Sequence, residues 1–229
     1  MRLSVLIPVY NEKATIAEIV EKVLKANIDA EKEIIIIDDG STDGTREIIK
    51  ETAKREGCNA LYHDKNKGKG AALKTGFKEA SGDVIVVQDA DLEYDPSDWK
   101  EMFRLIKEDK ADVVFGSRFY GRPHRVLLFY HYLGNKIITS IFNILFNLNL
   151  TDVETGYKMF KSRILKEINL SCNDFGFEIE FAAKAAKKGY RIYETGIGYY
   201  GRTYAEGKKI KWMDGLKALF YILRFRITD

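Results

Sequence analysis

The chain has 229 residues, 45% of them hydrophobic and 31% charged, with a net charge of +3. That length supports one sizeable core. So mild a positive balance, with no dominating Lys/Arg block, excludes a nucleic-acid binder of the usual basic kind. The two cysteines, Cys58 and Cys172, have no metal or redox spacing and read as unrelated thiols in a reducing compartment. No signal-peptide pattern opens the chain, which makes the cytosol the expected location.

Residues 2–9 form an apolar run that reads as a first strand, with Pro8 as its terminator and Tyr10-Asn11-Glu12 at its carboxyl end. Ile16, Ile19, Val20, Val23 and Leu24 then recur at helical spacing. Residues 33–37 contain four successive isoleucines, the pattern of a strand buried on both faces. That strand runs into Asp38-Asp39-Gly40-Ser41-Thr42-Asp43-Gly44-Thr45. The next helix carries Ile48, Ile49 and Ala53, with Gly57 as its stop. Residues 60–63 are a weak third strand, and Asn66-Lys-Gly-Lys-Gly70 is a glycine-rich turn. Ala71, Ala72, Gly76 and Ala80 give a small-residue helix suited to close packing on a sheet.

Residues 83–88 are the next strand, which ends in acid: Asp89, Asp91, Glu93 and Asp95, then Pro96. Ser97 is placed to cap a helix using Trp99, Met102, Phe103 and Ile106. Residues 113–116 are a further strand, ending in Ser117-Arg118-Phe119. This alternation predicts an α/β fold, a mostly parallel sheet with helices on both faces.

The second half is less regular. Residues 127–150 are rich in Leu, Ile and Phe, with Asn135, Thr139, Asn143 and Asn147 recurring every fourth position as one polar stripe. The segment is too polar to span a bilayer. It reads as an amphipathic helix, either packed on the core or lying in a membrane interface. A helix over 175–188 carries Glu178 and Glu180, and residues 190–194 are strand-like. A last amphipathic helix over 212–226 has Trp212, Met213, Leu216, Leu219, Phe220 and Leu223 as its apolar positions.

In open α/β sheets ligands sit outside the carboxyl ends of the strands. Asp89 and Asp91, just past a strand, offer the hard oxygens that a divalent cation such as Mg²⁺ takes together with phosphate. Arg118, Arg125, Arg202 and Lys208 lie in loops, where cations suit phosphate. The chemistry implied is transfer of whatever a metal-bound diphosphate carries. Other motifs fail. Asp39-x-Ser41-x-Asp43-Gly44 begins like a calcium loop, but its twelfth position is Lys50 where Glu is required. Gly68-Lys-Gly70 lacks the third glycine of a dinucleotide fingerprint and does not follow the first strand. No P-loop is present, and His63, His124 and His131 have no ligand spacing.

Pro8-Val-Tyr-Asn-Glu12, the Asp38–Thr45 stretch, Gly68-Lys-Gly-Ala-Ala-Leu73, Asp89-Ala-Asp91 and Gly116-Ser-Arg118 occur in this order. Together they resemble glycosyltransferase family 2, which has the GT-A fold. Asp152 with Gly156-Tyr-Lys158, Phe177-Glu-Ile-Glu180 and Arg202-Thr-Tyr-Ala-Glu-Gly-Lys208 are similar to its dolichyl-phosphate mannose synthase branch, whose acceptor is a polyprenyl phosphate. Two positions depart from that branch: Glu93, often Gln there, and Gly207, often Ser.

The resemblance implies one GT-A domain over 1–229, with a nucleotide-sugar half (1–120) and an acceptor half (121–229) that carries the amphipathic helices. It implies that Pro8, Tyr10, Glu12, Asp39, Lys69, Asp89, Ala90 and Asp91 hold the nucleotide sugar. Asp89 and Asp91 would ligate Mg²⁺ or Mn²⁺, and Arg118, Arg125, Arg202 and Lys208 would face phosphates of donor or acceptor. Asp91, Arg118 and Glu180 are the implied catalytic residues. The implied activity is inverting transfer of a hexose, mannose or glucose, from GDP-mannose or UDP-glucose to dolichyl or polyprenyl phosphate. The implied place is peripheral, at the cytoplasmic face of a membrane. The alternative within the family is a saccharide hydroxyl acceptor. That nucleophile needs a base, for which Glu178, Glu180 and Asp152 are candidates.

Overall fold

The computed structural model describes residues 1–55, 57–126, 128–208 and 212–228. Residue 127, which opens the amphipathic segment above, and the side chain of Trp212 lie outside the described residues. Seven strands form one sheet: β1 (Arg2–Val9), β2 (Glu31–Asp38), β3 (Cys58–Tyr62), β4 (Val84–Val87), β5 (Val113–Ser117), β6 (Lys158–Lys161) and β7 (Ile192–Gly196). Their order is β3-β2-β1-β4-β6-β5-β7, parallel throughout except that β6 runs antiparallel to both neighbours. The helices are α1 (Ile16–Lys25), α2 (Thr45–Thr52), α3 (Lys69–Glu79), α4 (Trp99–Lys107), α5 (Phe129–Phe146), α6 (Gly176–Lys187) and α7 (Trp212–Ile227).

The isoleucine run is explained by two apolar layers. Ile34 and Ile36 face one layer with Val5, Ile7, Val20 and Trp99; Ile35 and Ile37 face the other with Leu6, Leu73, Phe160 and Phe181. A strand covered on both sides has no polar face to show.

Three local expectations are corrected. Pro8 does not end β1 but lies inside it, opposite Ile37. Pairing between β1 and β4 stops at Leu6–Val87, so the N–H that proline lacks falls where no partner strand remains. Ser97 is not a helix cap. Asp95 is: its carboxylate accepts from the Ser97 N–H at 2.8 Å, opening a short 3₁₀ turn at Pro96 that leads into α4. And β6, unforeseen, slots between β4 and β5.

The polar stripe of α5 faces inward. Asn135 and Thr139 are buried. Asn135 Nδ2 donates to Asp152 at 3.0 Å and to Glu154 at 3.1 Å, and Thr139 Oγ1 accepts from the Val153 N–H. Asn143 exchanges two bonds with Leu150, while Asn147 leaves the stripe and ends the helix in a left-handed conformation at φ 53°. The outward face of α5 is apolar instead, with Tyr130 84% and Ile144 80% exposed. Helix α7 does the same: Ala218, Ile222 and Phe225 pack inward, while Met213, Leu216, Phe220 and Leu223 are exposed. Among the described residues, no helix is long and apolar enough to cross a membrane.

Candidate active site

Pro8, Tyr10, Glu12, Asp39, Lys69, Asp89, Ala90 and Asp91 all line one cavity of about 450 Å³, and Arg118, Arg202 and Lys208 line it too. It lies at the carboxyl ends of β1, β2 and β4. The sheet gathers these residues because parallel strands end on the same side.

Each wall is fixed by local bonding. Asp39 accepts from the N–H groups of Lys67 and Gly68 at 2.9 and 2.8 Å and lies 2.7 Å from His63 Nδ1, so the loop before α3 is tied to the end of β2. Gly40, at φ +75°, leaves no room for a side chain, because a Cβ would stand 2.5 Å from the Lys65 carbonyl carbon. In the acidic turn Leu92 takes φ +64°, costly for a non-glycine residue, and the Glu93 N–H donates to Asp91 at 3.1 Å. The turn is held from outside by Tyr157. Its ring stacks on Tyr94, and its hydroxyl lies 3.0 Å from both Gln88 Oε1 and the Asp95 carbonyl. Next to it, a Cβ on Gly156 would collide with Asp89 Oδ2.

The charges interlock. Lys69 Nζ lies 2.7 Å from Asp89 and 3.0 Å from Glu178. Arg202 reaches Glu12 at 3.1 Å, Asp91 at 3.2 Å and Glu93 at 3.6 Å. Burial, and then repulsion from Asp89 and Glu93, pushes the Asp91 carboxyl up to about 7. Burial disfavours the Lys69 ammonium, but Asp89 and Glu178 outweigh it and hold the lysine above its ordinary value. Two mutually repelling carboxylates at one turn offer hard oxygens of the kind a divalent cation takes. Among the described residues no group of three or more His, Cys, Asp or Glu is placed to hold a metal alone. The set fits an ion whose shell is completed by diphosphate oxygens and water.

A second cavity, about 500 Å³, adjoins the first and shares Arg118, Glu154, Phe175, Glu178 and Lys208 with it. It is bounded by α5, α6 and α7, and Phe119, Leu128, Phe129, Tyr132, Ile179 and Tyr221 give it a largely apolar wall. Arg118 stands at the junction. Its guanidinium makes two 2.7 Å bonds to the buried Asp152 carboxylate. Arg125 lines the second cavity alone, paired with Glu206 at 2.8 Å.

Glu180 is corrected. It lines neither cavity. Its carboxylate accepts from the N–H and hydroxyl of Ser171 and from the Cys172 N–H at 2.7–2.8 Å, and it pairs with Lys184. Residues two apart on a helix point about 200° apart, so Glu178 and Glu180 cannot both face one site. Sequence reasoning missed Glu154, which stands on the shared wall with its carboxyl pushed up to about 7 by burial. Its position between Asp152 and Gly156 was the available signal.

The sequence profile described as Glycosyl transferase family 2 matches residues 4–169. The chain is similar to the dolichol-phosphate mannosyltransferase of Pyrococcus furiosus, 30% identical over 217 residues that cover 92% of this chain and 61% of that one. It is similar also to the low-salt glycan biosynthesis hexosyltransferase Agl6 of Haloferax volcanii, at 28% identity over 96% of this chain and 53% of the relative. The chain thus spans only a little over half the length of these two relatives. In structure it is similar to glucosyl-3-phosphoglycerate synthase from Mycobacterium tuberculosis, solved with Mn²⁺, uridine diphosphate and phosphoglyceric acid. The TM-score is 0.76 at 18% identity, covering 99% of this chain and 79% of that one.

Proposed function

The chain belongs to glycosyltransferase family 2 and has the GT-A fold, and from that membership we propose the reaction. It transfers a hexose, mannose or glucose, from a nucleotide sugar such as GDP-mannose or UDP-glucose to dolichyl or another polyprenyl phosphate, with inversion at the anomeric carbon. The observation that carries this reading is the second cavity. It joins the donor cavity at Arg118 and Lys208 and then turns apolar. A neck that sets Arg118 and Lys208 beside Glu154 and Glu178, with an apolar throat beyond, suits a phosphate on an isoprenoid chain. The relative named as a dolichol-phosphate mannosyltransferase supports the same acceptor.

A Mg²⁺ or Mn²⁺ ion held by Asp89 and Asp91 would supply neutralisation of the leaving diphosphate. Arg202 and Lys208 face the donor phosphates, and Arg118, fixed by Asp152, faces the acceptor phosphate. A phosphate monoester, with a second pKa of about 6, is already largely ionised at neutral pH and needs no strong base. The residues then work by positioning and charge. A second reading, transfer to a saccharide hydroxyl, is favoured by one observation: Glu154, with its raised carboxyl, lines the wall that the two cavities share.

Incubation with Mn²⁺, labelled nucleotide sugars and either a polyprenyl phosphate or an oligosaccharide tests this. Label is expected in the lipid product. Label only in the oligosaccharide would establish the second reading.

The same proposal places the protein peripherally at the cytoplasmic face of a membrane, with α5 and α7 against the lipid. Their exposed apolar residues, with Arg224 and Arg226 exposed near the end of α7, support it. Binding to anionic vesicles is expected, weakening as salt rises. Ile137→Ser with Phe220→Ser should reduce co-sedimentation with vesicles and leave the melting temperature unchanged. Phe142→Ser should instead melt the fold, since Phe142 is fully buried and stacked on Phe146. Undiminished co-sedimentation of the double variant would remove these helices from the contact.

A further inference from the structure

A row of alternating charge runs inward from the donor cavity: Asp89, Lys69, Glu178, Lys158. Its members come from four places in the fold, the end of β4, the start of α3, the first turn of α6 and the start of β6. Lys69 Nζ is 2.7 Å from Asp89 Oδ1 and 3.0 Å from Glu178 Oε1, so its ammonium spans both carboxylates. The other oxygen of Glu178 holds the fully buried ammonium of Lys158, which also reaches the Thr155 carbonyl. Glu178 thus presents one oxygen to each lysine.

The orientation of Asp89 matters. Its Oδ2 is pressed toward Gly156, where a Cβ would collide with it. The oxygen held by Lys69 is Oδ1. A divalent ion approaching Asp89 therefore meets an ammonium already on the carboxylate. Two cations on one oxygen repel, and the lysine has a second carboxylate within reach.

We propose that Lys69 is a resident counter-ion which the metal displaces from Asp89 onto Glu178, and that Glu178, backed by Lys158, is a positioning residue built to receive it. This rests on the assignment of Asp89 and Asp91 as metal ligands. The receiving cradle is preformed, so the exchange needs only a small shift of one ammonium and no rearrangement of the backbone. The row also gives Glu178 a role other than base, since each of its oxygens carries a lysine.

Mn²⁺ binding in the presence of a nucleoside diphosphate, followed by the electron paramagnetic resonance signal of the free ion and set against the diphosphate alone, tests the exchange without turnover. Lys69→Gln removes the competitor and should tighten Mn²⁺ by about tenfold. Glu178→Gln strands Lys69 on Asp89 and should weaken Mn²⁺ by about tenfold. In the double variant the Glu178 effect should vanish, leaving the affinity of Lys69→Gln. Additive effects, or an affinity of Lys69→Gln at or below wild type, overturn the proposal. Glu178→Gln also leaves Lys158 buried and unpaired; should that variant fail to fold, the same comparison is made in a Lys158→Met background, with the same outcomes deciding. Absence of Mn²⁺ binding to the wild type with the diphosphate present overturns the metal assignment itself, and this proposal with it.

Discussion

Asp91→Asn should lower kcat/KM by about a thousandfold, since metal stabilisation of a leaving diphosphate is worth several kcal/mol and each 1.36 kcal/mol is tenfold in rate. The substitution keeps the shape of the side chain and removes its charge. The surroundings tolerate it: Arg202 retains Glu12 and Glu93, and the Glu93 N–H retains an oxygen acceptor. Stability should move the opposite way from activity. Burial and the neighbouring carboxylates raise the Asp91 carboxyl to about 7 in the folded chain. A group whose folded value is raised prefers to be neutral there, so ionising it costs stability. That cost begins as pH rises past the ordinary carboxylate value and is complete above about 7. In metal-free buffer the asparagine variant should therefore melt at the wild-type temperature near pH 4 and above it at pH 8. Kinetics with saturating Mn²⁺ and paired melting curves at the two pH values check both halves. Full activity of the variant would sink the metal assignment.

Asp152→Ala should cost about 3–5 kcal/mol of folding stability, the usual result of stranding a buried partner. Asp152 is fully buried and accepts two 2.7 Å bonds from Arg118, one from the Arg118 N–H and one from Asn135. Burial opposes its charge, but Arg118 outweighs burial and holds the carboxyl below the ordinary range. Removing it takes the hydrogen-bonded carboxylate away from the guanidinium and frees Arg118 at the junction of the two cavities. Acceptor KM should rise along with the loss of stability. Chemical denaturation and acceptor titration measure the two effects. A variant as stable as wild type would mean that Arg118 finds another partner.

The first half of the fold was legible because its signals are local. Strands such as Glu31–Asp38 are apolar runs, and helices such as Ile16–Lys25 carry a single apolar stripe. The acidic strand ends that line the donor cavity lie next to those runs in the chain. Two features resisted. Strand Lys158–Lys161 has a lysine at each end and only Met159 and Phe160 between, so no run marks it, and the burial of Lys158 is compensated by Glu178 on another element together with the Thr155 carbonyl. In α5 the periodicity was visible but its sense was not. A polar stripe ordinarily faces water; here it satisfies the buried Asp152 and Val153 and the half-buried Glu154, and the apolar side is left outward. Glu178 and Glu180 differ only in helical phase, which sequence shows, and in what each phase meets, which it does not.

The antiparallel strand in the middle of the sheet comes after both of its neighbours in the chain. When the first five strands have left the ribosome, β4 and β5 have no hydrogen bonds to each other and both keep an open edge toward the gap that β6 will fill. Residues 158–161 close that gap, and the two residues before them, Gly156 and Tyr157, arrive in the same movement to brace Asp89 and the acidic turn. Closure across so long a stretch of chain is slow and late. The acidic turn is therefore not braced by Tyr157 until the sheet is whole, and an incomplete nascent chain lacks a finished cavity.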